Sequence, residues 1–158
     1  MISPFKGEYA WASNFYMEAP FYVQSQLFKS SEHYFAASKT TDIEWCRKIL
    51  DEPTPAGAKK QGKKCPIRSN WNDVRIHVMA DALWYKFIQN MDIQQKLVHT
   101  DAQEMVEGNW WHDNFWGDCH CNNKSDKHPE CLKPGLNKLG LLLMNLRHYF
   151  QGVRMISL

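Results

Sequence analysis

Two short segments hold carboxylates and aromatic rings of the kind that break a glycosidic bond. HDNFWGD places Asp113 and Asp118 around Phe115, Trp116 and Gly117, and SEHYF (Ser31 to Phe35) places Glu32 beside His33 and Tyr34. Carboxylates shuttle protons and stabilise a cationic sugar, while aromatic walls take the face of a base or ribose. The first expectation is therefore chemistry on a nucleotide sugar. Lys39 lies seven residues after Glu32, two turns along the same face if the segment is helical. An amine among aromatic rings loses charge stabilisation and can act as a nucleophile. Each residue also has an ordinary reading: Glu32 as a surface helix start, Lys39 as an exposed helix end, and the two aspartates as loop caps.

Arg68 and Trp71 form an Arg-x-x-Trp pair, with arginine suited to phosphate and tryptophan to stacking, or else a plain helix start anchored by a core ring. Lys59, Lys60, Lys63, Lys64, Arg68 and Arg75 fall within seventeen positions, which suits an anionic partner or a solvated helix face. The net charge of +2 does not by itself argue for nucleic acid. Cys119, Cys121, His128 and Cys131 are of the ligand types that close a tetrahedron around zinc. The Cys-x-Cys spacing is less usual than Cys-x-x-Cys and His120 competes, so free thiols stand as the alternative. The chain has no phosphate-loop motif, no GxGxxG after a strand, no His-Glu-x-x-His and no nucleophile elbow.

A chain of 158 residues fits one domain over 1–158 and can bury a core without disulfide staples. Five cysteines, an odd count, argue against a disulfide framework. The start MISPFKGEYAW carries no basic n-region or apolar h-region, and no apolar run reaches membrane-spanning length, so a cytoplasmic protein with no membrane partner is expected. Phe21-Tyr22-Val23 and Leu27-Phe28 around Gln24-Ser25-Gln26 predict a hairpin. Ser30 or Ser31 caps a helix from Glu32 to about Lys39, and Asp42 opens a second to about Leu50. Thr54 with Pro55 starts a third, ending near Gly62. The longest helix runs from about Asn72 to Gln89 and a short one from Asp92 to His99. Met105-Val106 reads as a brief strand, and a last helix runs from near Asn137 to about Tyr149, buried through Leu139, Leu142, Leu143 and Leu146. Residues 117 to 135 read as a long loop. The fold class is α+β, mainly helical, with a small N-terminal sheet.

Taken in order, SNFY (Ser13 to Tyr16), SEHYFAASK (Ser31 to Lys39), Ala58-Lys59 to Gly62 and Arg68-Ser69-Asn70-Trp71 resemble segments of the YbiA-like N-glycosidase family, also called NADAR. VMADALWYKFIQN (Val78 to Asn90), Val106-Glu107, DNFWGD and NKLGLLLMNLR (Asn137 to Arg147) continue the likeness over nearly the whole chain. The resemblance implies a compact YbiA-like domain that hydrolyses an N-glycosidic bond with no metal or redox cofactor. It implies one of two substrate classes: ADP-ribose on guanine in DNA, RNA or nucleotide, or a phosphorylated ribosyl-nucleobase such as a ribosylaminopyrimidine intermediate of riboflavin synthesis. By position it makes Glu32 and Asp113 the essential carboxylates and Lys39 the residue that attacks the anomeric carbon. Asn14, Phe15, Trp116, Gly117 and Asp118 would line the sugar or base site, with Asn137 and Gly140 starting the last helix beside it. Tyr34, Arg68 and Trp71 complete the expected binding set. The Cys119 to Cys131 segment departs from the short glycine-rich loop of many relatives. A reading of another class, a non-catalytic ADP-ribose or nucleic-acid binding module, rests on the basic run and the aromatics. The sequence does not specify an oligomeric state.

Overall fold

The computed structural model describes residues 1–121 and 129–156. Backbone contacts divide the chain into two compact units, Asn14–Gln94, and Met1–Ser13 with Gln95–Leu158. No helix among the described residues is long and apolar enough to cross a membrane.

The first of these units opens with the expected hairpin, β1 (Phe21–Val23) antiparallel to β2 (Gln26–Phe28). Its two turn residues, Gln24 and Ser25, both take positive φ (48° and 68°), the geometry of a two-residue turn that matches strand twist. Four helices follow: α1 (Ser31–Ala37), α2 (Ile43–Asp51), α3 (Pro55–Gly62) and α4 (Trp71–Gln89). Their starts follow side-chain chemistry. Ser30 Oγ accepts the His33 N–H, Asp42 accepts those of Glu44 and Trp45, and Thr54 accepts that of Gly57 ahead of Pro55 at the first helical position. Lys29 Nζ closes the end of α2 by donating to the carbonyls of Leu50, Asp51 and Glu52 at 3.0, 3.3 and 2.9 Å.

Helix α1 is the hub, packed on α2, α3, α4 and β2. Small residues allow this: Ala36, Ala37, Ile49, Ala58 and Cys65 form one buried cluster. A Cβ on Gly62 would come within 3.0 Å of the Ala36 Cβ, so α3 approaches α1 closely only because residue 62 has none. A second cluster joins Phe21, Phe28 and Ala82, and the Gln89 side chain fixes the hairpin by pairing with both backbone groups of Tyr22 at 2.9 and 2.8 Å.

Helix α5 (Met91–Val98) follows. The remaining unit holds a 3-10 helix (Gly7–Ala12), the two-residue strands β3 (Gly108–Asn109) and β4 (Asp118–Cys119) in parallel pairing, a second 3-10 helix (Pro129–Leu132) and α6 (Lys138–Ile156). Three sequence expectations are corrected here. Met105 makes only an isolated bridge to Ile2 in place of a strand, because the flanking chain turns away after a single pairing. The loop from 117 to 135 contains β4 and the 3-10 turn. The last helix continues well past Tyr149, through Gly152, since one glycine costs only about 1 kcal/mol of helix propensity. Within this unit the buried Arg147 guanidinium ties α6 to the segment after α5, donating to Thr100 Oγ1 at 2.8 Å and the Gln103 carbonyl at 2.7 Å.

Candidate active site

In the unit Asn14–Gln94, the cap at Ser30 sets the first turn of α1 and with it Glu32. The Glu32 carboxylate belongs to a residue only 6% exposed, and its N–H donates to the Asn14 carbonyl at 3.1 Å. Asn14 is itself buried, and its side-chain Oδ1 has no hydrogen-bond partner among the described residues. A buried acceptor left unsatisfied costs about 1–3 kcal/mol, which marks the position as one awaiting a donor.

Lys39 lies just beyond α1, held by its own N–H on the Ala36 carbonyl and by its carbonyl, which accepts the Arg68 N–H at 2.8 Å. Its ammonium sits 5.4 Å from the centre of the Phe35 ring. Burial lowers the Lys39 pKa; the Glu32 carboxylate and the Cys65 thiol act the other way, and Lys59 and Lys63 add to the lowering. Glu32, Lys39, Lys59 and Lys63 therefore share one electrostatic neighbourhood. Its chemistry is that of an amine eased toward its nucleophilic form, next to a carboxylate that can carry protons. Phe35 packs on Trp71 with ring centres 4.9 Å apart. Arg68 Nε donates to Asn70 Oδ1 at 2.7 Å. Phe15 exposes 41% of its surface with the Lys59 ammonium 5.7 Å from its ring, so an aromatic face and a cation stand side by side.

Tyr34 is placed elsewhere. Two residues from Glu32 is about 200° around a helix, and the Tyr34 ring packs on Phe28 at 4.9 Å, Phe21 at 6.0 Å and Tyr85 at 6.4 Å. It serves the hairpin core. His33 is a latch. Its Nε2–H donates to the Glu52 carbonyl at 3.0 Å and its Nδ1 accepts from the Ser30 hydroxyl at 2.8 Å, the arrangement of a neutral ring. Burial lowers its pKa in agreement. Sequence reasoning missed Lys86, which is fully buried with its ammonium 5.5 Å from the Tyr16 ring; burial lowers its pKa to about 7. The signal was present: Lys86 stands at i+4 from Ala82 and i+3 from Leu83, on the apolar stripe of α4.

In the unit Met1–Ser13 with Gln95–Leu158, the DNFWGD segment is a tight turn docked on the start of α6. Asp113 Oδ1 accepts the N–H groups of Phe115 (3.2 Å) and Trp116 (2.9 Å). The carbonyls of Phe115, Trp116 and Gly117 in turn accept the N–H groups of Lys138, Leu139 and Asn137 at 3.2, 3.0 and 3.2 Å. These are donors that the first turn of a helix leaves without internal partners, so turn and helix complete each other. The buried Asn109 side chain holds the approach, accepting from Trp111 and Asp113 and donating to the Asp113 carbonyl at 2.7 Å.

Several of the expected binding residues are occupied with this scaffold. Asp118 Oδ1 accepts the Gly135 N–H at 2.7 Å. A Cβ on Gly117 would strike the Glu107 carbonyl. Asn137, at φ +46°, bridges the Glu107 N–H (3.1 Å) and the Met105 carbonyl (2.8 Å). A Cβ on Gly140 would strike that same Met105 carbonyl and the Asn137 amide. Trp116 is different: its half-buried ring stands perpendicular to Phe115 at 5.0 Å and is the aromatic surface the turn presents. For the metal alternative, His128 lies outside the described residues, whereas His112 joins Cys119, Cys121 and Cys131.

The NADAR domain profile matches residues 3–151. The chain is 34% identical over 142 residues to N-glycosidase YbiA of Shigella flexneri serotype 5b, covering 89% of this chain and 81% of that protein. It is 31% identical over 145 residues to Riboflavin biosynthesis protein VVA0006 of Vibrio vulnificus, covering 90% of this chain and 36% of that longer protein. Its fold is similar to the NMR structure of the E. coli protein YbiA, with a TM-score of 0.80 and 29% identity over 98% of this chain and 89% of that one. The expected mainly helical α+β fold of YbiA type is thus the observed one.

Proposed function

The chain belongs to the NADAR domain family and is a hydrolase of N-glycosyl bonds, and from that premise we propose that it removes ADP-ribose from guanine in nucleic acid or nucleotide, with Glu32 and Lys39 as its catalytic pair. The observation that carries the reading is the buried Glu32 carboxylate sharing a site with the desolvated Lys39 amine and the unsatisfied Asn14 Oδ1. A ribose hydroxyl would supply the donor that Asn14 Oδ1 lacks. Lys59 and Lys63 offer positive charge to a diphosphate, and Phe15, beside Lys59, offers a ring face to a base.

Two routes use these groups. In the first, the ribose ring opens to an imine, Lys39 Nζ adds to the anomeric carbon and expels the base amine, and water hydrolyses the resulting lysine imine, with Glu32 moving the protons. In the second, Glu32 activates water against an oxocarbenium-like centre. The lowered Lys39 pKa favours the first. On that route the rate rises with pH through the Lys39 pKa, below the ordinary 10.5, and borohydride traps an adduct that Lys39→Ala abolishes. An active enzyme with no trapped adduct rejects the imine.

A second reading has its own support, the name of the Vibrio relative: the substrate would be a ribosylaminopyrimidine phosphate, which offers the same ribosyl–nitrogen bond and one phosphate. The deciding experiment is mass spectrometry of an oligonucleotide bearing ADP-ribosyl-guanine after incubation with wild type and Glu32→Gln. Restored guanine with wild type, and a turnover about 10²–10⁴-fold lower in the variant with binding kept, is the expected result. An untouched oligonucleotide together with a hydrolysed ribosylaminopyrimidine phosphate selects the second reading.

A further inference from the structure

Three thiols and an imidazole converge where the sequence places no pattern of regular spacing. His112 lies before the DNFWGD turn, Cys119 ends β4, Cys121 follows two residues on, and Cys131 is buried in the 3-10 helix Pro129–Leu132. One donor atom from each lies within 4.8 Å of all the others. His112 Nδ1 is 3.2 Å from Cys131 Sγ and 4.0 Å from Cys119 Sγ. None of the three cysteines is in a disulfide.

Those separations can be compared with a metal's demands. Tetrahedral zinc at about 2.3 Å from sulfur and about 2.0–2.1 Å from nitrogen needs sulfurs about 3.8 Å apart and sulfur about 3.5 Å from nitrogen. The two imidazole–thiol distances straddle that second value, and no donor pair is farther apart than 4.8 Å, so closing on the tetrahedron asks any pair to move by about 1 Å at most. Four soft or borderline ligands leave no open position, which is the character of a structural site rather than a catalytic one.

We propose that His112, Cys119, Cys121 and Cys131 bind one structural zinc ion, with His112 Nδ1 as the nitrogen ligand. The placement tells what the ion does. Two of its ligands bracket DNFWGD directly, His112 just before Asp113 and Cys119 just after Asp118, so the metal closes the six-residue turn into a loop. Cys131 ties in the segment that leads to Gly135 and the start of α6, whose first N–H groups rest on the carbonyls of that turn. Zinc thus crosslinks both partners of the turn–helix contact. The site is independent of the substrate reading and of the Glu32–Lys39 chemistry.

The test begins with the wild-type chain produced under zinc-replete, reducing conditions, freed of loosely held metal on a desalting column and analysed for metal by mass spectrometry. The expected result is one zinc per chain, released when the thiols are titrated with a mercurial. Cobalt(II) added to the metal-free chain should give the visible absorption of tetrahedral cobalt with a thiolate charge-transfer band. His112→Ala and Cys121→Ser should lower zinc content to background, while His128→Ala keeps it. Chelation should expose residues 113–118 to proteolysis, while Glu32→Gln leaves the zinc in place. Wild type with background zinc and no cobalt spectrum overturns the proposal. Zinc lost in His128→Ala but kept in His112→Ala overturns the ligand assignment and with it the closed-turn role.

Discussion

Asn137 separates two meanings of a site residue. The family resemblance raises the expectation of a place beside the substrate, while in the structure its amide is engaged by the fold, taking the Glu107 N–H at 3.1 Å and giving to the Met105 carbonyl at 2.8 Å. Asn137→Ala removes both bonds, each worth about 0.5–1.5 kcal/mol. It also leaves alanine at φ +46°, a left-handed conformation that costs a residue with a Cβ about 1–2 kcal/mol. Asparagine tolerates that region far better, so the expected loss is about 2–5 kcal/mol, a large part of a typical stability of about 5–15 kcal/mol. Gly140 makes the argument stricter. A methyl group there would displace the Asn137 amide as well as press on the Met105 carbonyl, so Gly140→Ala breaks the same two bonds. The double variant should then cost less than the sum of the single ones by about 1–3 kcal/mol, because the shared bonds are lost only once. Urea unfolding of the four proteins, with constant m-values, measures the cycle. Additive losses would refute the shared-bridge reasoning. So would an Asn137→Ala protein of wild-type stability whose defect is confined to KM, which is what a direct substrate contact would give.

Two further predictions concern pH and one concerns sterics. His33 is held neutral, its pKa below the ordinary 6.5; the unfolded chain therefore takes up the proton first as pH falls. The stability from this group is full above 6.5 and is lost as pH falls from there through the folded value, and His33→Gln should flatten that acid limb in urea midpoints taken from about pH 7.5 down to about pH 5. Lys86, lowered to about 7 by burial against an ordinary 10.5, acts in another window with the same sign. Between those values the unfolded chain holds a proton that the folded chain lacks, so stability rises with pH, and Lys86→Met should remove the rise. An unchanged slope in either variant rejects the assignment. Gly117→Ala, driven into the Glu107 carbonyl, forces the turn off its 2.9 Å bond from the Asp118 N–H to that same oxygen. It should cost about 1–3 kcal/mol in thermal or urea unfolding, and a neutral result would mean the turn relaxes freely.

Local signals in the chain were sufficient wherever structure is settled within a few residues. Ser30, Asp42 and Thr54-Pro55 each carry the side chain that satisfies a helix start, and helices α1, α2 and α3 begin there. The hairpin follows from strands flanking a short polar turn. The ordered set of motifs also settled the family, since it needs only residue identity and order. Other features are decided by groups distant along the chain. Strands β3 and β4 are two residues each, too short to carry a period, and exist because Glu107 and Asn109 receive the N–H groups of Asp118 and His120. The scaffold contacts of Asp118, Asn137 and Gly140 with Gly135, Glu107 and Met105 are likewise made across the fold and carry no local signal. The pairing of His112 with three cysteines could not be read from spacing, because Cys131, whose Sγ lies 3.2 Å from the imidazole, is nineteen residues away along the chain and is brought to it by the return of the chain toward α6. Which face of a helix is apolar is written in sequence; whether a carboxylate such as Glu32 is buried, and what an amide such as Asn137 must satisfy, depends on backbone groups that only the folded chain brings within hydrogen-bond reach.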